Sequence, residues 1–299
     1  MKNALSQWLV SLALVAFALG CLVLTLVLMQ SPPQPIVEED EDLDVPGVSE
    51  PETIKKLPDF AAISHIPDRK QAFYELLMPM VEWRNYQLSS IRTEIEEMLA
   101  RLDDDQPLSA AQRRRLERMR VHFRVSEDNF PSTERALEAL HSRADIIPPA
   151  MVVAQGAAES GWGTSRFAVE GNNIFGQWCY RKGCGLVPGA RTDGMTHEVQ
   201  IFDSVNDAVA TYFRNINTNR AYRELRQKRD QLRARNQPIT GTALVEGLHR
   251  YSSRGQAYIE ELKELIRFND LENIEHTWRP QEEEPEAGEA EEPEAAVSQ

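Results

Sequence analysis

Residues 148–178, PPAMVVAQGAAESGWGTSRFAVEGNNIFGQW, set Glu159 among small residues, with Trp162 close behind it and Asn172, Asn173 and Trp178 following. Pro149 suits the first turn of a helix. Ala154, Gly156, Ala157 and Ala158 let neighbouring backbones approach closely, and Gly161 and Gly163 would end the helix sharply. Glu159 then lies at the helix C-terminus, where the negative end of the helix dipole disfavours a carboxylate. Partial burial against the Trp162 indole would disfavour it further. A carboxylic acid that keeps its proton near neutral pH is what a general acid for a glycosidic oxygen requires.

Other side chains around Glu159 admit two readings each. Trp162 and Trp178 could stack on sugar rings, and Trp162 could equally be packing that orients Glu159. Asn172 and Asn173 offer amide donors and acceptors suited to N-acetyl groups. An Asn pair before an apolar residue could equally fix a turn, and Gln177 shares that ambiguity. Cys179 and Cys184 are close enough in sequence for a local disulfide, the reading an oxidising compartment favours. Half a zinc site is the alternative, but no second pair or nearby His completes it, and His197 and His249 have no ligand spacing. No metal and no cofactor is expected.

The elements that would hold these groups are mostly helical. Asp68 is expected to cap a long helical pattern that runs to Leu102, with Leu88, Ile91, Ile95, Met98 and Leu102 at alternating three and four spacing. Residues 103–107, DDDQP, break it, and Ser109 starts a second helix carrying Leu116, Met119 and Phe123 on one face. Together they predict a helical hairpin. The run Arg113, Arg114, Arg115 on the second helix reads as a solvated face pairing with nearby acids. Further helices are expected over 132–141, 204–217, 240–250 and 254–268, with a capping pattern from Ser204 to Asp207. Residues 197–203 alternate briefly and predict one short strand; 176–196 reads as loop or hairpin.

The 299-residue chain carries a formal net charge of −14, which excludes nucleic acid as the main partner, since binding phosphates needs clustered Lys and Arg. Residues 9–29 are almost wholly apolar, and about 20 such residues span a bilayer as a helix. With Lys2 ahead and acids behind, the rest of the chain would lie outside the cytoplasm. The expected organisation is an N-terminal transmembrane anchor (1–30), an acidic Pro-rich linker serving as a tether (31–58), a helical hairpin region (59–142), the domain bearing Glu159 (143–272) and a disordered acidic tail (273–299).

The pattern A-x-x-E-S-G-W-G-x-S followed by G-N-N-I-F-G resembles glycoside hydrolase family 73, with Glu159, Trp162, Asn172, Asn173 and Phe175 in register. NNIFGQWCYRKGCGLVPG, YSSRGQAYIEELKELIRFN and DFAAISHIPDRKQAFYELLMPM are similar to the Bax-type proteins of Gram-negative bacteria, a group with such a domain. The resemblance covers residues 57–269. It implies a mainly α, lysozyme-like glucosaminidase fold with a small β-hairpin lobe, acting on the glycan strands of peptidoglycan. Glu159 matches the family's general acid. Glu198 occupies the place of a second acidic residue in the hairpin lobe, with Asp193 and Asp203 as substitutes. It could activate water, or the substrate's own N-acetyl group could assist instead. Tyr251 and Tyr258 match aromatic positions near the last helices, and with Trp162, Asn172, Asn173, Phe175 and Trp178 complete the expected substrate groove. The family often has Asp-Pro between those tyrosines, where this chain has Arg254 and Gly255. The implied reading is a membrane-anchored periplasmic hydrolase whose hairpin covers the groove or meets a protein partner. A catalytically inactive glycan-binding or scaffolding protein and a lytic transglycosylase are the alternatives.

Overall fold

A computed structural model describes residues 43, 45, 49–189, 197–252 and 254–274. The apolar run at 9–29, the acidic tail and Asp193 lie outside the described residues. No helix among the described residues is long and apolar enough to cross a membrane.

The longest element is α1, Ile66–Asp103, with Pro67 in its first turn. Asp68 is not its cap; it sits in the first turn, where its carboxylate meets the His65 ring at 2.9 Å. Of the expected apolar stripe, Leu88, Ile91, Ile95 and Met98 are buried and Leu102 is half-buried at the helix end. Helix α2, Ala110–His122, opens on a capping box in which Ser109 and Gln112 satisfy each other's backbone N–H groups. Arg115 closes the hairpin by bonding both carboxylate oxygens of Glu94, at 2.8 and 2.9 Å. Ser132 caps α3, Thr133–Arg143.

Helix α4, Pro149–Ser160, is enclosed by the rest of the molecule and ends on Gly161 at φ 58°. Its small residues have a visible purpose. A Cβ on Gly156 would lie 3.3 Å from Phe73 and 3.5 Å from Leu77, both on α1, and 3.5 Å from Phe175. The hairpin region is therefore not a separate body. One apolar core runs through α1, α3, α4 and the last helices, and the described residues form one compact unit.

Part of the expected tether is docked as well. Ile54 donates its backbone N–H to Asn206 and accepts from Val205, both at 2.9 Å, while Leu57 donates to Asn172 Oδ1 at 2.9 Å. Leu43 and Leu57 are buried. Apolar side chains and unpaired backbone groups make this stretch bind the domain despite its acidic, proline-rich composition.

After the short α5, Arg166–Gly171, the chain forms β1 (Trp178–Cys179), β2 (Gly185–Leu186) and β3 (Glu198–Gln200). The lobe is not a simple hairpin: β3 lies in the middle, antiparallel to both neighbours, in the order β1-β3-β2. Trp178 and Leu186 both face Val199 in register. The chain then enters α6, Val205–Thr218, capped by Ser204 as the Ser204-to-Asp207 pattern predicts.

Helix α7, Arg223–Ala234, is missing from the sequence-based expectation, because its buried face is made of Leu225, Arg226 and Arg229. Arg229 is fully buried and donates to the carbonyls of Ser142, Asp145 and Ile146 and to Asn217 Oδ1. Arg233 holds the fully buried Asp145 carboxylate from the same helix. The helix expected over 240–250 is shorter, α8 at Gly241–Leu244 followed by a 3-10 turn, and α9 spans Gln256–Phe268.

Candidate active site

Glu159 stands one residue before the end of α4. Its Oε1 accepts a hydrogen bond from the Tyr258 hydroxyl at 2.9 Å. Its Oε2 faces Gly176, where a Cβ would lie 3.2 Å away and the backbone has φ +63°. Glycine serves both needs at that position: a left-handed backbone and a close approach to a carboxyl.

Tyrosines gather at this carboxyl from three parts of the chain. Tyr258, at the start of α9, stacks on Tyr251 with ring centres 5.4 Å apart. Tyr251 donates to the Phe175 carbonyl at 2.9 Å, and Phe175 stacks on Tyr212 of α6 at 4.0 Å. Tyr222 closes on Tyr251 at 5.9 Å. Burial pushes the Glu159 carboxyl above its usual range, and the negative charge of Glu261 adds to the effect. The Tyr258 hydrogen bond and the Arg254 guanidinium oppose it without cancelling it. Arg254 and Glu261 are themselves paired at 2.6 Å.

The indole of Trp162 has its ring contacts on α1 rather than among these tyrosines. It meets Phe73 and Tyr74 edge-on at 5.7 Å, with Lys70 4.9 Å from its centre. Trp162 has φ 60°, so the turn after Glu159 carries the ring toward α1. Next to it, Gly163 leaves room for Phe60, since a Cβ there would come within 2.4 Å of that ring.

Asn172 and Asn173 are buried, and their amides hold backbone. Asn172 donates to the carbonyls of Lys55 and Phe202, both at 3.0 Å, and accepts from Leu57. Asn173 donates to Gln177 and Gln200, both at 2.8 Å, and accepts from the Gln177 N–H at 2.9 Å. Of the two readings open in the sequence, turn fixing is the one this geometry carries. Both amides tie together the two ends of the β lobe. Phe175 is likewise buried, whereas Trp178 is 53% exposed and stacks face to face on His197 at 4.3 Å.

Glu198 lies on β3, only 5% exposed. Its Oε1 accepts from the Gly183 N–H at 3.1 Å and its Oε2 from the Gly185 N–H at 2.9 Å. Cys179 and Cys184 are joined in a disulfide across the same turn. Their sulfurs and a Glu198 oxygen lie within 4.8 Å of one another, the one cluster of metal-type ligands among the described residues. The sulfurs are bonded to each other and the carboxylate is held by two amides, so these donors do not fit a metal in this state. Asp203 is exposed.

Sequence reasoning passed over Gln155, Tyr212 and Gly176. Gln155 had a signal, since it lies four residues before Glu159 on the same helix and hence on the same face. Tyr212 had none beyond an apolar periodicity shared with the core of α6.

Residues 134–271 match the family model for mannosyl-glycoprotein endo-beta-N-acetylglucosaminidase. The match starts inside α3, ahead of the expected domain start at 143. Protein bax of Escherichia coli (strain K12) is 35% identical over 215 residues, covering 71% of this chain and 74% of that protein. No solved structure matches. The chain belongs to the family of Bax-type proteins that carry a glucosaminidase domain.

Proposed function

We propose that this protein hydrolyses peptidoglycan glycan strands at the bond following N-acetylglucosamine, with Glu159 as general acid on a lysozyme-like framework. The observation that carries this reading is the state of Glu159: a half-buried carboxyl pushed above its usual range, with one oxygen fixed by Tyr258 and the other beside Gly176. Glu159 gives its proton to the leaving glycosidic oxygen as the C1–O bond breaks; water then adds its oxygen to C1, and the proton released restores the acid. Trp178 supplies an exposed indole face for a sugar ring. No metal or cofactor enters this scheme.

The position of Glu198 favours a course that needs one enzymic carboxyl. Two backbone amides hold its oxygens in the lobe, so the substrate's N-acetyl group is the better second participant. The same observation supports a second reading, a lytic transglycosylase in which the sugar's own hydroxyl attacks C1 and an anhydro end results. Digestion of purified wall, with Glu159→Gln as control, tests the acid. Mass spectrometry of the fragments separates hydrolysed from anhydro ends. Undiminished digestion by Glu159→Gln would sink both readings.

The compartment belongs to the same proposal. An apolar run at 9–29 suited to an inner-membrane anchor and a disulfide suited to the periplasm support it. Detection of the full-length chain in the cytosolic fraction alone would count against it. Because α1 is part of the core beside α4, a partner-binding role for the hairpin has no support in this arrangement.

A further inference from the structure

Behind Glu159 lies a line of buried polar groups that the proposed chemistry does not itself use. We infer that Gln155 and Tyr212 are positioning residues whose hydrogen bonds fix the direction of the Tyr258 hydroxyl and so leave Oε2 of Glu159 as the oxygen bearing the transferred proton. This rests on the reading of Glu159 as the acid.

The inference follows from donor and acceptor polarity. The Tyr212 hydroxyl donates to Gln155 Oε1 at 2.6 Å. A side-chain amide has one accepting end and one donating end. With Oε1 held by Tyr212, Nε2 of Gln155 turns to Tyr258 and donates to its hydroxyl oxygen at 3.2 Å. An amide N–H cannot accept, so the Tyr258 proton goes to its other partner, Oε1 of Glu159, at 2.9 Å. Oε1 is thereby an acceptor throughout. The acid proton belongs on Oε2, on the side where Gly176 has no side chain to cover it.

Water is poorly placed to reset this order. Gln155 is 0%, Tyr212 1% and Tyr258 3% exposed. Burial also holds the Tyr212 hydroxyl well above its ordinary pKa, so it remains a donor at any working pH. Once Glu159 has given up its proton, the Tyr258 hydroxyl already points at the new carboxylate and no group has to turn. Pre-oriented dipoles of this kind act without reorganisation at the moment of reaction.

The test compares wild type, Tyr212→Phe, Gln155→Leu, Gln155→Glu and Glu159→Gln as full-length chains, with pH–rate profiles on soluble glycan fragments and thermal unfolding as the fold control. Tyr212→Phe and Gln155→Leu should each lower kcat about tenfold, part of the ~100-fold or more that a positioned acid supplies, with KM changed by less than about twofold. Their alkaline limbs should move to higher pH, because a loosened Tyr258 stabilises the Glu159 carboxylate less. Gln155→Glu should be worse than Gln155→Leu, since a carboxylate there draws the Tyr258 proton away from Glu159. Wild-type kcat and pH profile in both Tyr212→Phe and Gln155→Leu, with Glu159→Gln inactive, would overturn the relay and leave the acid in place. A lower kcat with an unmoved alkaline limb would also overturn it, as a structural loss only. An active Glu159→Gln would remove the reading beneath it. If Gln155→Leu fails to fold, Tyr212→Phe, which deletes a single oxygen, decides the matter.

Discussion

The Tyr258 hydroxyl donates to Oε1 of Glu159 at 2.9 Å across 99 residues of sequence. The bond stabilises the charged form of Glu159 and so works against the burial that raises its pKa. Tyr258→Phe removes that brake. The Glu159 pKa should rise further and the alkaline limb of kcat/KM should shift to higher pH. Activity at the optimum should fall about tenfold, a modest share of what a general acid supplies. A pH–rate profile checks both effects, and an unmoved alkaline limb would count against the bond's role.

Glu159 should weaken the fold where it is charged. With its folded pKa raised, the native state holds the proton more tightly than the unfolded chain, so stability falls as pH rises from the ordinary carboxylate range through the raised value. Glu159→Gln should therefore raise Tm at neutral pH, and the gain should vanish below the ordinary carboxylate range. Thermal unfolding at both pH values measures the difference. An equal Tm gain at both would remove the charge explanation.

Glu198 should matter less to the chemistry than Glu159. Gln at 198 keeps one acceptor for the turn amides and loses the other. We expect Glu198→Gln to lower activity less than about tenfold and to loosen the β lobe, against a loss of about a thousandfold for Glu159→Gln. Equal inactivity of the two variants, with the lobe intact by hydrogen exchange, would place Glu198 in the reaction.

Asp145 is the electrostatic centre of the scaffold. Burial alone would raise its pKa, but the Arg233 hydrogen bond and the charges of Arg229 and Arg92 outweigh it and hold the carboxyl below its usual range. Its contribution is present above the ordinary carboxylate range and is lost as pH falls through the lowered value. Asp145→Asn strands these arginines and should cost about 3–5 kcal/mol in urea unfolding, with a flatter acid limb of stability. A loss under 1 kcal/mol would be at odds with this arrangement.

The amino-acid sequence by itself determined the parts that depend on near neighbours. Ser109, Ser132 and Ser204 cap the helices expected to follow them, and Gly161 ends α4 where a residue without Cβ can turn left-handed. The place of Glu159 at a helix end was legible for the same reason. What surrounds that carboxyl was not. Its partners join groups 57, 103 and 99 residues apart, and no local spacing reports such pairings. Tertiary structure alone decided that tyrosines from distant segments gather at Glu159, that the Trp162 ring packs on α1, and that Asn172 and Asn173 hold the lobe. It alone also docked residues 49–57 on the domain. Helix α7 escaped detection because it buries arginines, whose charge reads as solvent-facing until the carbonyls and the Asp145 carboxylate that satisfy it are brought together by the fold.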